Sequence, residues 1–148
     1  MCKYDDAMER MNERFGKDSL ISIATRNGRH LSVRMVDGYY ENGAFYIVTY
    51  TKSNKMKQIK ACSKVVLCGA CFNAHGVGEN LGHVRDERHT AIMAKLREAF
   101  ASWYDNGHVN EDDPNTCLLR IRLTDGVLAN EEKFYTIDFI NRKAREFG

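Results

Sequence analysis

Between residues 20 and 66 the chain reads LISIATRNGRHLSVRMVDGYYENGAFYIVTYTKSNKMKQIKACSKVV. Three runs rich in β-branched and aromatic residues are separated by Asn27-Gly28 and Glu41-Asn42-Gly43. Asn-Gly suits the left-handed backbone of a tight hairpin turn. The pattern therefore predicts three successive antiparallel strands over 20–25, 30–40 and 44–50. Strand alternation puts Leu31, Val33 and Met35 on one side of the second strand and Ser32, Arg34 and Val36 on the other. Asp37-Gly38 interrupts that strand and predicts a bulge or bend.

The rest of the chain supplies helices and further strands. Met8, Met11 and Phe15 fall at helical spacing before Gly16, which predicts a helix over 3–15. Ser53 opens a short helix over 54–61. Strands are expected over 65–72 and 77–84, joined through Asn73-Ala74-His75-Gly76. A helix over 86–103 carries the stripe Ile92, Leu96, Ala99, Phe100 and Trp103. An acidic loop over 105–115 follows, then strands over 116–123 and 133–140. About six strands with peripheral helices, lacking regular βαβ alternation, point to an α+β or mainly β fold. The sheet or barrel is expected to be mostly antiparallel, in one domain over 1–148. No GxGxxG turn or GxxxxGK[ST] loop is present, which argues against Rossmann and P-loop nucleotide sites.

Composition narrows the partners. No apolar run approaches a membrane span, and the first residues have no apolar core of a signal peptide, so a cytoplasmic protein without membrane contact is expected. The net charge of +2 gives no general pull toward nucleic acid. Five cysteines, an odd count, point to free thiols.

Chemistry concentrates where the third strand meets the short helix. Amides at a helix start, with the positive end of the dipole, bind phosphate well, and Ser53-Asn54-Lys55 stands there. Lys55 adds a mobile cation, and Arg34 a two-pronged one from the neighbouring strand. From pattern alone, a simply capped helix with solvated lysines explains these residues better than a phosphate site does. Lys52, Lys55, Lys57, Lys60 and Lys64 fall in thirteen residues without an acid. They lack interleaved aromatics beyond Tyr50 and read as a solvated face near an anionic ligand, not a nucleic-acid surface. Cys68-Gly69-Ala70-Cys71 has no second ligand pair, and within one strand its thiols would point to opposite faces, so no metal site is expected. His75 and His83 read as rim or strand residues.

These features together resemble the FMN-binding split β-barrel of the pyridoxamine 5′-phosphate oxidase-like family, over roughly residues 15–140. In that family an Arg on the second strand and a Thr/Ser…Lys stretch after the third contact flavin and phosphate. The resemblance implies a cofactor set of Arg34, Val36, Thr49, Tyr50, Ser53, Asn54 and Lys55. Many members carry Arg where this chain has Asn54, which shifts phosphate binding onto Lys55 and Arg34. Asn80-Leu81-Gly82-His83-Val84 is similar to a family strand whose glycine admits a flavin edge. Two barrels pack side by side in the family, with flavin in the clefts between them. That implies a homodimer in which Leu31, Val33 and Met35 fill the barrel while the Arg34 face meets cofactor and partner. It also implies an FMN-dependent oxidoreductase acting on a small molecule, with no catalytic acid or base assigned. A non-catalytic flavin or haem binder on the same barrel is the alternative, and deazaflavin chemistry a more distant one. The ending Asn141-Arg142-Lys143-Ala144-Arg145-Glu146-Phe147-Gly148 does not match the oxidase's Arg-rich substrate motif, so a different substrate is expected.

Overall fold

The computed structural model describes residues 2–148. Helix α1 (Lys3–Phe15) opens the chain and buries Tyr4, Ala7, Met11 and Phe15 along one stripe. Strands β1 (Ser19–Asn27), β2 (His30–Glu41) and β3 (Ala44–Tyr50) follow as the turn residues predict. Asn42 and Gly43 both adopt positive φ, 47° and 80°, which closes β2 onto β3 in two residues. Helix α2 (Asn54–Ala61) leads to β4 (Lys64–Gly69) and β5 (Phe72–His83). Helix α3 (Thr90–Ala99) precedes β6 (Thr116–Asn130), β7 (Lys133–Asp138) and β8 (Lys143–Phe147).

The sheet order is β3-β2-β1-β4-β5-β6-β7-β8, and β3 also pairs with β6. This closes a six-stranded antiparallel barrel and leaves β7 and β8 as an extension. The fifteen-residue β6 makes both possible: Thr116–Arg122 pair with β3, and Asp125–Asn130 pair with β7. Ile21, Ile23, Phe45, Ile47, Leu67, Leu119 and Ile121 fill the interior. Phe15 of α1 packs edge-on to Phe45 at 5.5 Å and lies 5.4 Å from Phe72, while α2 sends Met56 and Ile59 into the same core. A second cluster forms outside the barrel, where Met93, Leu96 and Phe100 cover Leu118, with Tyr46 and Val48 beside them.

Several sequence expectations are corrected. Leu31, Val33 and Met35 do not fill the barrel: they are 80%, 71% and 60% exposed on its outer surface. The Arg34 face turns inward instead, because Arg34 stands opposite the buried Ile23 and bonds to the buried Thr25. Asp37-Gly38 makes no bulge, since the β1–β2 register runs unbroken from Ser19↔Gly38 to Asn27↔His30. Gly38 is needed for packing, because a Cβ there would lie 3.0 Å from Ile21 and 3.2 Å from Phe45. The β4–β5 turn falls at Ala70-Cys71, not at 73–76, with Cys71 at φ 50°. The two thiols of the CxxC therefore lie on a strand and in a turn. Gly82 has φ +95° at a register shift, and the space around it is open, with nothing within 4 Å of an added Cβ. Strand β8 pairs with β7 at the chain's end, where no strand is expected from the sequence. No helix among the described residues is long and apolar enough to cross a membrane.

One acid pair carries a stability prediction. The Trp103 indole donates to Asp18 Oδ2 at 2.8 Å, while Asp18 Oδ1 is buried without a partner. Burial, with the Asp18 carboxylate beside it, pushes the Asp37 carboxyl up to about 6. A raised acid pKa stabilises the fold below the unfolded value near 3.8 and is lost as pH rises through about 6. Stability should therefore fall between about pH 4 and 6, and Asp37→Asn should remove that slope and stabilise the protein at pH 7 by about 1–3 kcal/mol. Thermal melts of both proteins across that range check it, and parallel pH profiles would count against a raised Asp37 pKa.

Candidate functional site

The barrel is split between β2 and β3. These strands pair only through Tyr39↔Tyr46, Tyr40↔Phe45 and Glu41↔Ala44. Before that point β2 pairs with β1 alone, and Ile47–Tyr50 of β3 pair with β6 alone. The strands diverge from their turn and open a cleft edged by backbone that has no ladder partner there. A strand edge of this kind offers N–H and C=O groups to a ligand.

Helix α2 lies at the wide end of the cleft. Ser53 caps it, accepting from the Met56 N–H at 3.4 Å, and no acid stands in its first turn. Lys55 donates to Thr49 Oγ1 across the end of β3, and its Nζ lies 3.5 Å from Ser53 Oγ. Arg34 reaches in from β2, donating through Nη1 to Thr25 Oγ1 at 2.7 Å and through Nη2 to Gln58 Oε1 at 3.0 Å. Thr25 Oγ1 donates to the same Gln58 oxygen. This network fixes the guanidinium with neutral partners and leaves its charge uncompensated.

The electrostatics are the informative part. Neither Arg34 nor Lys55 forms an ion pair among the described residues. Burial pushes the Lys55 ammonium below its ordinary value, and the nearby Arg34 charge pushes it the same way. Burial also lowers Arg34. Two half-buried cations close enough to repel each other form an arrangement that an anion relieves.

The other expected residues fall around this pair. Val36 lies two residues beyond Arg34 on the same strand face and packs against the barrel core. Tyr50 is 40% exposed at the end of β3, and Asn54 is exposed at the first position of α2. The cleft thus gathers Arg34, Thr49, Ser53 and Lys55, with Tyr50 and Asn54 at its rim. Sequence reasoning missed Thr25 and Gln58. The inward parity of Thr25 on β1 was available as a signal, but its pairing with a glutamine 33 residues later was not.

Three of the five histidines are engaged elsewhere. His75 Nδ1 lies 2.8 Å from Asp125 Oδ1 on the outer sheet face, His83 Nε2 3.0 Å from Asp113 O, and His89 Nε2 2.6 Å from Leu81 O. No group of three His, Cys, Asp or Glu residues among those described could hold a metal. Trp103 stacks on Phe100 and packs in the α3 cluster.

No protein-family model and no curated protein sequence matches the chain. Solved structures do match. A pyridoxamine 5′-phosphate oxidase-related, FMN-binding protein from Nostoc punctiforme aligns over 99% of this chain and 96% of its own, at TM-score 0.59 and 14% identity. An FAD-binding protein from Mesorhizobium loti aligns over 80% and 90%, at TM-score 0.63 and 12% identity. A heme-binding protein from Mycobacterium smegmatis aligns over 85% of this chain and 55% of its own, at TM-score 0.64 and 10% identity. The fold is that of the pyridoxamine 5′-phosphate oxidase-like split barrels. FMN-, FAD- and heme-binding proteins share it, so the choice of ligand must come from the side chains of the cleft.

Proposed function

We propose that the protein binds FMN in the β2–β3 cleft as a homodimer and acts as a flavin-dependent oxidoreductase on a small molecule. The observation that carries this reading is the uncompensated cation pair Arg34 and Lys55 beside the start of α2. A terminal phosphomonoester suits it, because two negative charges sit on one compact group. Lys55 then holds a phosphate oxygen next to Ser53 and Thr49, and Arg34 adds a second positive group held in place by Gln58. Val36 and the free edge of β2 give the flat part of the ligand an apolar and hydrogen-bonding wall. Bound FMN would supply the hydride or electron transfer. The chain contributes anchoring, orientation and partial exclusion of water.

Haem is the weaker occupant, because it needs an axial ligand and Arg34, Thr49, Ser53 and Lys55, the residues gathered at the cleft, include no histidine. The dimer follows from the outer apolar face of β1, β2 and β4. Val33, Ala24 and Val66 lie side by side across it, flanked by exposed Leu20, Leu31 and Met35. An apolar patch of this kind marks a contact surface.

Titration with FMN and riboflavin tests the ligand. FMN should bind at least tenfold more tightly, since only it carries the phosphate. Equal affinities would remove the phosphate site and with it this reading. A flavin spectrum in the purified protein would support it, and a Soret band would replace FMN with haem.

A further inference from the structure

Charge is distributed very unevenly in this molecule. Residues 19–78 hold eight Lys and Arg against two acids, a net +6, while the remaining residues hold fourteen against eighteen, a net −4. Of those two acids, Glu41 pairs with Lys95 and Asp37 leans on Asp18. The eight cations form none of the ion pairs among the described residues; Lys3, Arg10, Arg85, Arg88, Lys95, Arg97, Arg120 and Lys133 form them with acids. They collect at the α2 end of the barrel, on the β1–β2 turn, on α2 and at the start of β4. The acids nearest that end across β3 are in use: Glu111 and Asp112 pair with arginines, and Asp113 accepts from the Asn115 N–H at 2.8 Å.

Within this basic end lies a pocket of about 330 Å³, lined by Arg26, Asn27, Asn54, Lys57, Gln58 and Ala61, with Gly28 at its edge. It is at the small end of ligand cavities, the size for one compact group. Arg26 donates through Nε to Gly28 O at 3.1 Å, which holds its guanidinium over the turn and leaves both terminal nitrogens free. Gln58 is the shared wall. Its oxygen accepts from Thr25 and Arg34 on the cleft side, and its amide nitrogen has no partner among the described residues.

We infer that this pocket is a second anion subsite, which takes the phosphate or pyrophosphate group of a small co-substrate next to the proposed FMN phosphate site. A concave pocket with a planar guanidinium, an ammonium and three side-chain amides matches a phosphate group. Tyr50 is the one aromatic in the lysine stretch 50–64, so the stacking platforms of a single-stranded nucleic-acid surface are missing.

Inorganic pyrophosphate is the probe, titrated by calorimetry into protein saturated with FMN and into the protein as purified. It should bind one to one without displacing FMN. Arg26→Ala and Lys57→Ala should each weaken it at least tenfold while leaving FMN affinity within twofold and the melting temperature unchanged. Lys55→Met should do the reverse, and it keeps the two readings apart: the subsite stands if pyrophosphate still needs Arg26 when no FMN binds at all. Stoichiometric displacement of FMN by pyrophosphate would overturn the subsite, as would unchanged pyrophosphate affinity in both alanine variants. Tighter binding of a dT oligonucleotide, with the same dependence on Arg26 and Lys57, would overturn it in favour of nucleic acid.

Discussion

Replacing Arg34 and Lys55 together by methionine should bring FMN affinity down to that of riboflavin. Each cation offers charge-assisted hydrogen bonds to the phosphate, so each single change should cost about 1–3 kcal/mol of binding. Arg34→Lys should also weaken FMN, because it keeps the charge but loses the planar fork that spans Thr25 and Gln58. The pH dependence follows from the lowered Lys55 pKa. Anion binding raises that pKa, so affinity should stay flat below its free-state value and fall as pH rises through it. The same shift sets the sign of the stability effect. Folding lowers the Lys55 pKa, so its charge costs stability below that value, and Lys55→Met should melt no lower than the unliganded wild type. A ligand site is expected to lose binding and keep stability. If Arg34→Met melts far below wild type with both proteins stripped of ligand, Arg34 is structural and leaves the site.

Light scattering at micromolar concentration should give about twice the 17.0 kDa chain mass, and Val33→Glu should give the monomer. Val33 is 71% exposed in the single chain and abuts Ala24, which in turn abuts Val66, at the centre of the outer apolar face. Burying an unpaired carboxylate there would cost several kcal/mol, weakening association by about 100-fold or more. The exposure of Val33 means that the variant's own fold should hold, which far-UV dichroism would check. A wild-type monomer that still retains flavin would sink the idea of a cleft shared between two barrels.

Much of the barrel was legible because it rests on local rules. Asn42-Gly43 fixes a two-residue turn through backbone conformation, and the spacing of Met8, Met11 and Phe15 marks α1, whose buried stripe is Tyr4, Ala7, Met11 and Phe15. Other elements were misread where local signals are weak. Ala70-Cys71, which makes the β4–β5 turn, is a poor turn signature, while Asn73–Gly76, a better one, lies inside β5. The unbroken β1–β2 register shows that Gly38 answers to Ile21 and Phe45, whose approach depends on strand pairing and packing, not on local pattern.

The sequence by itself determined three strands, their turns, the capped start of α2 and a local excess of cations, because each depends on residues a few positions apart. Only the tertiary structure decided which face of β2 looks inward. That choice follows from the β1–β2 register, which sets Arg34 opposite the buried Ile23 and leaves Leu31, Val33 and Met35 outward, along the stretch where β2 has diverged from β3. The same divergence opens the cleft and turns Arg34 toward Thr25 and Gln58, so that it and Lys55 share one unneutralised site. Their proximity is a matter of barrel closure over residues 23 to 58, a long-range geometry on which hydrophobic periodicity is silent.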